Sequence, residues 1–86
     1  MTRASKPNIL VQFGKRLREL REAAQLTQEA LAFQSGLDRS YVGQVERGER
    51  NIALINIGKL AQALGVPPEE MLKFTPDEAT EEQSST

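Results

Sequence analysis

Cysteine and histidine are both missing from this 86-residue sequence. Without thiols there are no disulfides and no thiolate metal sites. Without imidazole there is no histidine ligand, no histidine general base and no Ser-His-Asp arrangement. No apolar run approaches the length needed to span a bilayer, and residues 1–7 carry no signal-peptide hydrophobic stretch. No segment alternates in the manner of a half-buried strand. These absences point to a soluble cytoplasmic protein, off the membrane, with no metal, cofactor or small-molecule ligand expected.

The length suits one small domain with a single core, marginally stable unless well packed or completed by a partner. The formal net charge of −1 hides a segregation. Up to Thr75 there are 11 Lys/Arg against 8 Asp/Glu, a balance of +3. Residues 76–86 hold four acids (Asp77, Glu78, Glu81, Glu82) and no base. The expected organisation is a loose basic arm over residues 1–7, a domain over residues 8–75 and a disordered acidic tail over residues 76–86. The arm, with Arg3 and Lys6, reads as a solvated lead, and the tail as a solubilising segment.

Within the domain the periodicity is helical. Leu10, Phe13, Leu17, Leu20 and Ala24 recur at steps of three and four from about Asn8. Thr27 stands as an N-cap, and Ala30, Leu31 and Phe33 or Gln34 carry a short second helix that Gly36 ends in a left-handed conformation. Asp38 caps a third helix, closed by Gly48. Leu54, Ile57, Leu60, Ala61 and Leu64 mark a fourth, ending at Gly65. Pro67 and Pro68 fit only the start of a fifth, whose dipole suits Glu69 and Glu70. The fold class is therefore all-α, with five short helices.

The stretch "SGLDRSYVGQVERGER", residues 35–50, carries the functional signal. On a helical wheel Val42 and Val45 share one side, and Ser40, Gln44 and Arg47 lie opposite. Arg39 and Tyr41 flank them, and Gly43 leaves room for close approach. An ordinary solvated face would carry Glu–Lys pairs. Arg, Ser and Gln instead match phosphate oxygens and base edges, while a plain solvated face remains the alternative on this helix taken alone. A short helix, a glycine turn and this helix form a helix-turn-helix arrangement.

The longer run "LTQEALAFQSGLDRSYVGQVERGER", followed by "LAQALGV", resembles the lambda-repressor and Cro-like helix-turn-helix proteins, the xenobiotic-response-element family. The family pattern is met at Thr27, Gln28, Leu31, Ala32, Gly36, Leu37, Val42, Val45, Glu46 and Gly48. Within it, "LDRSYVGQVERGERN" resembles the controller proteins of restriction-modification systems, which likewise lack the family's frequent proline at the position of Ile52. Gly43 departs from the usual small polar residue. The resemblance implies a homodimeric transcriptional regulator that binds double-stranded DNA. By the same resemblance Arg39, Ser40, Tyr41 and Gln44 would read bases in the major groove, while Gln28, Arg47, Arg50 and Asn51 would hold phosphates. A phage-type repressor, an antitoxin or a protein-bridging module built on the same fold are the alternatives.

Two further pairings follow from the residues. Arg21 and Glu46 both fall on the inner flanks of their helices, which predicts a structural ion pair between the first helix and the third. Val66, Met71, Leu72 and Phe74 offer more apolar surface than a monomer needs, which predicts a dimer interface there. No catalytic constellation emerges. Gly43 and Gly48 have P-loop spacing, but Glu49 and Arg50 follow where Lys and Ser/Thr are required. Glu69 and Glu70, being adjacent, cannot flank one substrate bond.

Overall fold

A computed structural model of the chain describes residues 7–75. The expectations for Arg3, Lys6 and the acids from Asp77 onward lie outside the described residues. Four α-helices follow one another: α1 (Asn8–Ala23), α2 (Gln28–Ser35), α3 (Arg39–Glu46) and α4 (Leu54–Leu64). There is no strand among the described residues.

The expected fifth helix is instead a single 3-10 turn, Pro68–Leu72. Two prolines remove the first donors, and the bonds that form are of the shorter three-residue kind, such as Glu70 N to Pro67 O at 2.9 Å. That tighter winding separates neighbouring side chains. Met71 is wholly buried while Leu72 is 51 % exposed.

Each helix contributes to one core: Phe13 and Leu17, Leu31 and Ala32, Val42 and Val45, Ile57, Leu60 and Ala61, closed from below by Met71. Leu10 is only half-buried, Ala24 lies just beyond the end of α1, and Phe33 points to solvent. In α2 the inward pair is Leu31 and Ala32, so Phe33, one residue further round, cannot join them.

Local chemistry sets the helix ends. Thr27 Oγ1 accepts from Ala30 N at 3.0 Å, the N-cap bond of α2. Gly36 takes φ +74 in the left-handed region, and Leu37 N reaches back to Ala32 O at 2.9 Å. This turn sets α3 against α2. Asp38 occupies the N-cap position of α3 but makes no side-chain cap bond there. Its carboxylate accepts instead from the Ser40 hydroxyl at 2.9 Å.

Two contacts fix α1. A Cβ on Gly14 would collide with the backbone carbonyls of Val45 and Glu46, the former at 2.6 Å, so only glycine lets α1 approach the end of α3 this closely. At the other end, Arg16 Nε donates to Glu70 O at 2.8 Å and Nη2 to Glu70 Oε1 at 3.0 Å, joining α1 to the 3-10 turn.

Candidate nucleic-acid interface

The inner flank of α3 is a closed polar network. Arg21 Nε donates to Glu46 Oε2 at 2.6 Å and Nη2 to Oε1 at 3.0 Å, a bidentate pair. The third donor, Nη1, reaches Leu26 O at 2.9 Å. The two side chains are only 12 % and 4 % exposed. The Glu46 hydrogen bond raises the Arg21 pKa further above its ordinary value, against the opposing effect of burial.

Gln28, half-buried at the start of α2, donates through Nε2 to Glu46 Oε1 at 2.9 Å. It thereby ties α2 to α3. The space at Gly43 is filled from within: a Cβ there would stand 3.2 Å from Arg47 Nη1 and 3.5 Å from Gln28 Oε1. The room expected for an incoming partner is room for these two side chains.

The outer side of α3 is different. Arg39 is exposed at the helix start, with no side-chain hydrogen bond or ion pair among the described residues. Ser40 beside it is exposed and bound only to Asp38. One turn on, Gln44 Oε1 accepts from Arg50 Nη1 at 3.3 Å. The Arg50 guanidinium also lies 5.1 Å from the centre of the Tyr41 ring, within cation–π range. Tyr41 Oη in turn accepts from Asn56 Nδ2 of α4 at 3.0 Å. These groups line an open depression of about 460 Å³ that also includes Gly36, Leu37, Asp38 and Ser40. Arg47 pairs with Glu49 through two bonds of 3.2 Å on the flank, and Asn51 is exposed just beyond.

The structure thus brings Ser40, Tyr41, Gln44 and Arg50 together around one depression, with Arg39 at the start of the same helix. Arg47 and Asn51 border it, and Gln28 belongs to the inner network. Asn56 was missed by sequence reasoning, although a polar residue inside the apolar run "ALINIG" is a signal. Gly14 was also missed, since periodicity does not report how closely two backbones approach.

Of the four residues expected at a dimer interface, three are engaged by the protomer's own core. Met71 is fully buried within the protomer, and Val66 and Phe74 pack partly against its core. Leu72 alone of the four is exposed. Leu54, assigned from its spacing to the core side of α4, is 78 % exposed, and Ile55 is 73 % exposed. Both occupy the first turn of α4, which projects beyond the core before Ile57 enters it.

No group of His, Cys, Asp or Glu that could hold a metal ion occurs among the described residues, and no described helix is long and apolar enough to cross a membrane.

Comparison with known proteins places this geometry. The helix-turn-helix family pattern matches residues 17–71. The control protein C.BamHI of Bacillus amyloliquefaciens is 45 % identical over 69 residues, covering 79 % of this chain and 85 % of that protein. Among solved structures, the restriction-modification controller protein C.AhdI from Aeromonas hydrophila is 68 % identical, with a TM-score of 0.71 over 72 % of this chain and 94 % of that one. A hypothetical transcription factor, NHTF from Neisseria, is 37 % identical, with a TM-score of 0.73 over 96 % and 97 % of the two chains. The chain belongs to the helix-turn-helix family and is a DNA-binding transcriptional regulator.

Proposed function

We propose that this regulator binds a (pseudo)palindromic operator as a homodimer and acts in the cytoplasm as an autoregulatory controller of a restriction-modification system. The observation that carries the reading is the contrast across α3. One flank is closed by Arg21, Glu46 and Gln28, while the other presents Arg39, Ser40 and Gln44 outward. Arg39 can bond guanine through two donors, and Ser40 keeps lone pairs for an amino group. Tyr41 offers its ring edge to a thymine methyl. Arg47, Arg50 and Asn51 suit phosphates at the rim of the groove, and Gln28 steadies α3 while reaching the backbone from the start of α2. No catalytic step is assigned to the chain. The relatives named as restriction-modification controllers support the biological setting.

Leu54, Ile55 and Leu72 supply the apolar surface for a second copy. A two-fold axis through them would make the interface isologous and set two copies of α3 on one side of a duplex, with half-sites about 10 bp apart or a multiple of that. The test combines two measurements. Selection from a random duplex pool should enrich a two-fold-related site. Sedimentation of Leu54→Glu and Leu72→Glu should show monomers with far weaker affinity for that site, because the second half-site no longer arrives at high effective concentration. A variant pair that stays dimeric, or a pool that yields no common site, rejects the reading.

A further inference from the structure

We infer that Asn56 is a positioning residue for sequence reading, acting through Tyr41 and Arg50 on Gln44. The inference rests on the proposed placing of α3 in the DNA groove. Asn56 is the third residue of α4, and its amide nitrogen reaches the Tyr41 hydroxyl across 15 residues of sequence, at 3.0 Å and partly buried. It is the cross-link between α4 and the outer side of α3. The hydrogen bond holds the phenol at its rim, and packing against the core holds the ring from the other side.

The ring so held is a plate for the Arg50 guanidinium, 5.1 Å from its centre. Arg50 then donates to Gln44 at 3.3 Å. A guanidinium has donors and no acceptor, so the atom of Gln44 that faces it must be the amide oxygen. The Gln44 amide nitrogen is the end that Arg50 does not hold. A glutamine fixed in this way reads a base edge as a donor, toward acceptors such as O6 and N7 of guanine or O4 of thymine. The oxygen keeps a second lone pair, so a bidentate adenine contact through oxygen and nitrogen together is compatible with Arg50 in place, in the one orientation that Arg50 sets. Asn56 therefore sets the hydrogen-bonding sense of Gln44 from a distance, without meeting DNA itself.

Leucine is close to asparagine in size, carries no hydrogen-bonding atom and leaves the net charge unchanged. The phosphate contribution to affinity should survive Asn56→Leu. The experiment selects bound duplexes from a random pool with the full wild-type chain and with Asn56→Leu, Tyr41→Phe, Gln44→Ala and the Asn56→Leu/Tyr41→Phe double variant. Asn56→Leu should lose about tenfold preference at the same base pairs that relax in Gln44→Ala, and keep the rest of the site. Its affinity for a scrambled duplex should stay within about twofold of wild type. The double variant should lose no more than Tyr41→Phe alone, since the two residues act through one bond. If Asn56→Leu fails to fold, Asn56→Ala removes the same donor with less bulk and is judged by the same coincidence with Gln44→Ala. A variant with wild-type preferences overturns the inference, and so does one that loses affinity evenly across the site in step with its melting temperature. A wild-type chain that enriches no sequence overturns the proposed function itself, a separable result.

Discussion

Two arginine–glutamate pairs flank α3, and they are chemically the same pair in different surroundings. Arg21 and Glu46 meet with 12 % and 4 % of their side chains exposed, and the carboxylate also receives Gln28. Arg47 and Glu49 meet at 3.2 Å with 57 % and 39 % exposed. The buried pair has no water to fall back on, so breaking it strands a charge. The outer pair is open to solvent and screened, and an exposed pair of that kind contributes ~0–1 kcal/mol. Burial, not residue type, separates the arginine that ties α1 to α3 from the arginine paired at the surface.

The sharpest way to break this comparison is Glu46→Ala. Leaving the Arg21 guanidinium without its carboxylate should lower the unfolding free energy by about 3–5 kcal/mol. Urea denaturation measures it, and a cost no greater than that of Glu49→Ala would mean that burial is not what distinguishes the pairs. Gly14→Ala attacks the same flank by volume. Its methyl group would force α1 off the Val45 and Glu46 carbonyls, at about 1–3 kcal/mol, again read from denaturation.

On the outer side the expected loss is in selectivity. Arg39→Ala should remove about 1–3 kcal/mol of preference at one operator position. Arg47→Ala should weaken all duplexes alike and reduce the salt slope by about 1. Titrations of operator and scrambled duplex at several salt concentrations separate the two. Glu49→Ala should change stability by less than about 0.5 kcal/mol and strengthen duplex binding, since it removes a carboxylate that competes with phosphate.

The smallest effect concerns the exposed end of the 3-10 turn. The Lys73 ammonium, through its hydrogen bond first, then its charge and that of Arg16, holds the Glu70 carboxyl below its ordinary value. A lowered folded-state value stabilises at pH above the unfolded value and is lost as pH falls through the folded one. The difference in melting temperature between wild type and Glu70→Gln should be present at neutral pH and fade on the acid side of about pH 4.

Much of this molecule is legible in its residues. Arg21 and Glu46 meet as their helical phases imply, and Thr27 and Gly36 act where their side chains, or the lack of one, suit a helix end. What escaped the sequence depends on geometry finer than a period. Met71 and Leu72 look like one apolar cluster in the sequence, yet Met71 enters the core while Leu72 stays about half exposed. Leu54 shares the spacing of the core residues but precedes the point where α4 meets the core. Asn56 works through a bond to a different helix, and local pattern holds no record of its partner. Asp38 stands at the cap position, yet Ser40 at two residues' distance competes for its carboxylate.

The burial of Met71 bears on how the protein is made. The residue that closes the core lies in the last described element, and Arg16 waits near the start of the fold for Glu70, 54 residues later. A chain growing from the ribosome carries the complete helix-turn-helix well before it carries the plug beneath it. Until residue 71 emerges, α1 and α4 share an open apolar floor, a surface for chaperones and proteases rather than for DNA. A chain that stops short of Met71 should therefore be less stable and more readily degraded than the complete one.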